Sequence, residues 1–150
     1  MDLRTRITSA VKDAMKAKEM ERLATLRLIN AALKDRDIAA RADGAEVGEG
    51  DILALLGKMV KQRQESATAY DDGGRAELAA KERAEIGVIE GFLPKQLDDA
   101  ETEAAISAAI EATGAESLRD MGKVMGELKG KYTGQMDFGR VGPMVKAKLG

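Results

Sequence analysis

The chain has 150 residues, 33% of them charged and 44% hydrophobic, and a formal net charge of −2. It holds no Cys and no His, which excludes disulfides, thiolate metal sites, cysteine nucleophiles and a Ser-His-Asp arrangement. No apolar run approaches the roughly 18 residues that a membrane span needs, and residues 1–9 lack the apolar stretch of a secretory signal, so a cytoplasmic protein with no membrane partner is expected.

With two Phe, two Tyr and no Trp, the core must be built from Ala, Leu, Ile, Val and Met. Ala, Leu and Met also favour helix. Leu3, Ile7, Val11, Ala14 and Met15 recur at helical spacing and predict a first helix to about Lys16. A second is expected from about Glu19, with Leu23, Leu26, Ile29 and Leu33 as its stripe and Asn30 near the same face, fading around Ala42 before the Asp43-Gly44 turn. The stretch from Gly44 to Gly50 reads as an exposed loop. Asp51 is placed at the cap or entry of a third helix, with Ile52, Leu56, Met59 and Val60 inward, ending near Asp71-Asp72-Gly73-Gly74. A fourth helix is predicted from about Arg75 to Leu93, with Leu78, Glu82, Ile86, Ile89 and Leu93 on one stripe. Pro94 stops it, because the residue before a proline is disfavoured in helical conformation.

Beyond Pro94 the elements shorten. A fifth helix from about Asp99 turns Ile106, Ala109, Ile110 and Thr113 inward, with Gly114 at its C-terminal cap. Ser117-Leu118-Arg119-Asp120 resembles a capping box with Asp in place of Glu, opening a sixth helix with Met121, Val124, Met125 and Leu128 on one face. Asp137 is placed to cap a seventh, with Val141, Met144 or Val145, and Leu149 inward and Pro143 tolerated with a local bend. No strand-like alternation and no internal repeat occur. The expected fold is all-α: an N-terminal four-helix part, residues 1–94, followed by a three-helix domain, residues 95–150.

Four segments, in order, resemble the GatB/YqeY family. Arg22-Leu23-Ala24-Thr25-Leu26-Arg27-Leu28-Ile29 is similar to its Glu-Arg-Leu-x-x-Leu-Arg segment, and Lys61-Gln62-Arg63-Gln64-Glu65-Ser66 to its Lys-Gln-Arg-x-Glu-Ser segment. Phe92-Leu93-Pro94-Lys95-Gln96-Leu97 resembles the family's Leu-Pro-x-Gln-Leu hinge. Met121-Gly122-Lys123-Val124-Met125-Gly126, followed by Gly134, Asp137 and Val141, looks like its C-terminal pattern. Stand-alone members of that family resemble the tail of the B subunit of the glutamine-dependent tRNA amidotransferase, a helical module that contacts tRNA while catalysis resides in a kinase-like cradle domain and a separate amidase subunit. The resemblance therefore implies a tRNA-binding accessory without catalytic residues or cofactor of its own. A label of carbon–nitrogen ligase activity with glutamine as donor would come to it by association. Its partners would be tRNA and a synthetase or amidotransferase component. One departure stands out: many relatives carry Lys or Arg after the glycine that precedes the last helix, and here that position is Gln135. If that base touches phosphate, a charge-assisted contact is lost, with Lys129 and Lys131 near enough to replace it.

Charge distribution bears on the same question. Asp98, Asp99, Glu101, Glu103, Glu111 and Glu116 fall between Asp98 and Leu118 with no base, whereas Arg119 to Gly150 holds seven bases and three acids. Lys123, Lys129, Lys131, Arg140, Lys146 and Lys148 either form a phosphate-facing surface, whose binding would weaken with salt, or a solvated face. The candidate nucleic-acid-binding residues are Lys123, Lys129, Lys131 and Arg140. Gly122 and Gly126 sit inside a helix, where each costs about 1 kcal/mol against Ala, so compensation is expected from close approach of another helix or from backbone contact with RNA. Arg27 is expected to pair inside with Glu65 or Glu82, or to serve as a second contact. The paired acids Asp71-Asp72 and Asp98-Asp99 read as caps, and Ser9, Ser66, Ser107 and Ser117 lie in no nucleophile context. The competing reading is a helical protein-docking module that uses grooves along Leu23–Leu33 and Ile52–Tyr70.

Overall fold

The computed structural model describes residues 2–150, and among them it holds seven α-helices and no strand. They divide into two compact units, Met1–Leu93 and Pro94–Gly150.

The first unit contains α1 (Leu3–Ala17), α2 (Met20–Ala42), α3 (Glu49–Asp72) and α4 (Ala76–Glu90). The ends of α1 are fixed locally. The Asp2 carboxylate accepts from the Thr5 amide at 2.8 Å, and Lys18 takes the left-handed conformation (φ 58°) that ends the helix and lets α2 start two residues later. At the start of α3, the Asp51 carboxylate accepts from the Gly48 amide at 3.0 Å. Asp51 is thus inside the first turn rather than at the cap, and Glu49 turns back to accept from the Leu3 amide at 3.3 Å, tying the beginnings of α1 and α3 together.

Leu3, Ile7, Leu26, Ile29, Ile52, Leu56 and Ile89 form the buried core of this unit, with Ala67 and Ala79 buried on α3 and α4. Asn30 is exposed. The buried polar residue of α2 is instead Thr25, whose hydroxyl donates to the Glu21 carbonyl. The fourth helix stops at Glu90, three residues short of the predicted end. Gly91 begins a turn, Pro94 bars helix at Leu93, and Phe92 is driven into the core with the Arg6 guanidinium 5.6 Å from its ring centroid. Arg6 also donates to the Gly91 carbonyl at 3.1 Å, satisfying one of the groups that the helix end leaves free. Arg27 is exposed and has no acidic partner among the described residues, so the internal pairing expected of it is absent. Arg63 fills that role, 3.5 Å from Glu85 and donating to the Met59 carbonyl, with both side chains of the pair largely buried between α3 and α4.

The second unit contains α5 (Asp99–Thr113), a 3-10 turn (Leu118–Asp120), α6 (Met121–Tyr132) and α7 (Phe138–Leu149). Asp98 and Glu101 form a reciprocal capping box on α5, and Gly114 closes it at φ +65°. Asp137 accepts from the Gly139 amide at 2.9 Å and caps α7. Ile106, Ala109, Val124, Leu128, Met136, Val141 and Val145 are buried together. The capping box expected at Ser117 is half made: the Ser117 hydroxyl caps nothing, while Asp120 accepts from the Glu116 amide at 3.0 Å. Pro143 lies inside α7 on its exposed side.

Leu26 and Leu56 are fully enclosed, so truncation of either leaves a cavity. Leu26→Ala should lower stability by about 2–5 kcal/mol, read as a lower urea midpoint at unchanged slope.

Candidate functional site

The centre of the candidate site is α6. Val124 and Leu128 face the core, with Met121, Met125 and Tyr132 half-buried beside them. Because a helix turns about 100° per residue, the face opposite this stripe falls on residues spaced by four: Gly122, Gly126 and Gly130. All three are exposed, and a Cβ built on any of them would meet nothing within 4 Å. Close approach of another helix, the compensation expected for Gly122 and Gly126, is therefore not what these glycines serve. They leave a strip of bare helix backbone open to solvent.

The basic residues stand on both flanks of that strip. Lys129 lies on one side and Lys123 on the other, each about 60° around the helix from Gly126, while Lys131 stands about 140° round from it, beyond Lys123. Lys131 reaches Glu127 at 3.0 Å and Lys123 lies 3.7 Å from Asp120, whereas Lys129 has no acidic partner among the described residues. Arg140, in the first turn of α7, lies 3.4 Å from Asp99, and both side chains are exposed, 71% and 92%. Solvated pairs of this kind contribute at most about 1 kcal/mol and are readily exchanged for another anion. Tyr132 is half-buried against the core and does not stand out as a stacking platform.

Gln135 is half-buried, and its amide donates to the Lys95 carbonyl at 3.1 Å. Gln96 answers from the other side by donating to the Gly134 carbonyl. Sequence reading passed over these two contacts, since they join residues about 40 positions apart; the one signal was the pair of glutamines itself, one in the Pro94–Leu97 segment and one where a base was expected.

The Asp120 carboxyl is held below the usual carboxylate range, chiefly by the Glu116 amide, with the Ser117 amide and the Lys123 charge adding to it. In the first unit Arg4 grips Asp37 through both terminal nitrogens, at 2.6 and 3.0 Å, and lowers the Asp37 pKa in the same way. An open groove of about 600 Å³ runs between α2 and α4, lined by Arg22, Ala24, Thr25, Lys81, Glu85 and Val88 among others. It runs along the start of the Leu23–Leu33 segment, whose Leu23, Leu26, Ile29 and Leu33 are themselves core. The large apolar residues that α2 exposes are Met20, Leu28 and Ile38. Among the described residues no group of three or more acids is placed to hold a metal ion, and no helix is long and apolar enough to cross a membrane.

Gly126→Ala should raise thermal stability by about 0.5–1 kcal/mol, because it adds helix propensity without a clash. A second prediction concerns acid. A lowered folded-state pKa contributes stability that is present above the ordinary aspartate range and is lost as pH falls through the lowered value. The stability gap between wild type and Asp120→Ala, present at neutral pH, should therefore close on acidification, as read by thermal unfolding across pH.

Comparison with known proteins places these features in a family. Residues 4–149 match the family described as Yqey-like protein. The chain is 30% identical over 135 residues to "Altered inheritance of mitochondria protein 41, mitochondrial" of Meyerozyma guilliermondii, covering 90% of this chain but 64% of that protein. The proteins of the same name from Saccharomyces cerevisiae and Pyrenophora tritici-repentis are 25% identical over 126 residues and 24% identical over 132. They are matched over 67% and 71% of their lengths, and over 81% and 87% of this chain. With the match running through both helical units, the chain belongs to the YqeY family.

Proposed function

We propose that the second unit is a non-catalytic tRNA-binding module, in keeping with the resemblance to the amidotransferase tail, and that α6 carries the contact. The observation that supports it most is the glycine strip on the solvent side of α6. Each glycine gives up helix stability, a Cβ on any of them would meet nothing within 4 Å among the described residues, and lysines rise on both flanks. A sugar–phosphate backbone is a partner that exploits such a surface. It approaches closely where there is no Cβ, and Lys129 and Lys123 meet its charge from the two sides, with Lys131 farther round the helix. Arg140 adds a further cation on α7, and Asp99 releases it at little cost because both are solvated. Contacts of this kind fix position rather than read bases. A cytoplasmic site of action is part of this reading, although the fungal relatives carry "mitochondrial" in their names.

A second reading, docking of a synthetase or another enzyme, has its support in the open groove between α2 and α4, with Leu28 exposed on the same helix.

The deciding experiment is a titration of the protein against bulk tRNA at two salt concentrations. With Lys123, Lys129 and Arg140 as three phosphate contacts, raising salt from about 50 to about 200 mM should weaken binding about 20- to 40-fold. Reversing Lys129 and Lys131 to Glu should lower affinity at least about tenfold at low salt. Gly126→Ala should weaken tRNA binding while stabilising the fold, a combination that a purely structural role for this glycine does not produce. Unchanged affinity in both variants would remove α6 from the contact. Absence of binding at low salt would turn attention to the α2 surface.

A further inference from the structure

The segment 94–97 has no helical hydrogen bonds of its own, yet it is held along most of its length by the turn between α6 and α7. The Leu97 amide donates to the Gln135 carbonyl at 3.0 Å. The Gln135 side chain donates to the Lys95 carbonyl at 3.1 Å, and the Gln96 side chain to the Gly134 carbonyl. Leu97 itself is half-buried against the second core. Gly134 makes this geometry available: at φ +85° it turns the chain so that its carbonyl and that of Gln135 both face the segment. The two glutamines therefore reach across the same gap in opposite directions, each satisfying a carbonyl that no secondary structure satisfies.

We propose that Gln96 and Gln135 form a two-sided amide latch that makes residues 95–98 one edge of the α6–α7 turn, and that the position after Gly134 serves as a hydrogen-bond donor to this strap rather than as a charge directed at phosphate. The turn residues 133–137 run straight into the Asp137 cap and the first turn of α7, where Arg140 sits. Opening the latch therefore loosens the strap, the turn and the seat of Arg140 together, and Gln96 and Gln135 act as positioning residues for that end of α7. What the position requires follows from the contact it makes. Lysine also donates to a carbonyl and fits the role. Glutamate sets a negative charge against the Lys95 carbonyl and does not. Alanine offers no donor. The inference does not depend on tRNA binding, because the latch is read without RNA.

Trypsin supplies the test. Lys95 is exposed, while the two residues on its far side, Gln96 and Leu97, are held by the latch, so cleavage after Lys95 reports how often the strap opens. In the full chain, at limiting protease, Gln135→Ala and Gln135→Glu should be cut after Lys95 about five- to tenfold faster than wild type, as expected for loss of one net hydrogen bond, with Gln135→Lys within about twofold of wild type. Mass spectrometry of the fragments fixes the cleavage site, and far-UV circular dichroism confirms that each variant keeps its helices. Gln96→Ala removes the opposite half of the latch and carries the same expectation, so the proposal stays testable if a Gln135 variant misfolds. Wild-type rates in Gln135→Ala and Gln96→Ala would overturn the latch. Because the lysine introduced at position 135 is itself a trypsin site, the rate in that variant is read from the initial appearance of the 96–150 fragment uncut at position 135. Appearance of this fragment as fast as in Gln135→Ala would overturn the donor role.

Discussion

α6 is held to its unit by one narrow stripe. Val124 and Leu128 are completely buried, and they pack with Ile106, Val141 and Val145 at the centre of the second core. Because that anchoring is confined to one side, everything else about α6 is free to answer to solvent. The lysines extend outward, and the side facing away from the core carries the three glycines beside Lys123. A helix anchored on two faces would have had to place its glycines against a neighbour, and its lysines would have been reduced to a rim. The same narrow anchoring makes the ends of α6 matter: Asp120 at the entry and the Gly134–Gln135 turn at the exit fix by hydrogen bonds what hydrophobic burial leaves loose.

The two units solve the problem of a nearly aromatic-free core differently. In the first, long helices bury Leu and Ile side chains in register, and a largely buried Arg63–Glu85 pair sits between α3 and α4. Such a pair is poor evidence of stability, since desolvation opposes the attraction, but its breakage would leave a charge stranded. In the second, every helix has 12 to 15 residues and none is long enough to be stable alone, so capping matters for all three. The Asp98–Glu101 box, the Gly114 closure and the Asp137 cap all belong to this half.

Helix positions and core faces were legible in the sequence because they rest on periodicity and local capping, which a linear reading registers. Ile52, Leu56, Val124 and Leu128 sit where spacing places them. Three things were not legible, each for a physical reason. The early end of α4 depends on Phe92 finding space beneath Arg6, a contact across 86 positions. The fate of Arg27 and Arg63 depends on which helix faces which, and periodicity does not say. The open surroundings of Gly122 and Gly126 are a property of the absence of neighbours, and a glycine reads the same in sequence whether it is pressed against a helix or bare. In the candidate site the lysines were identified by type and segment, but their separation by the glycine strip appears only once the core side of α6 is known.

The glycine strip also has a dynamic consequence. Three glycines in a 12-residue helix depress its intrinsic helicity, and no contact on the outer face restores it. The amides of α6 therefore open at lower cost than those of α5, and its protection against hydrogen exchange should lie well below that of α5. Anything that settles on the strip must first stiffen it, so occupancy of this face is recorded as order gained along α6 and passed on to the turn that follows.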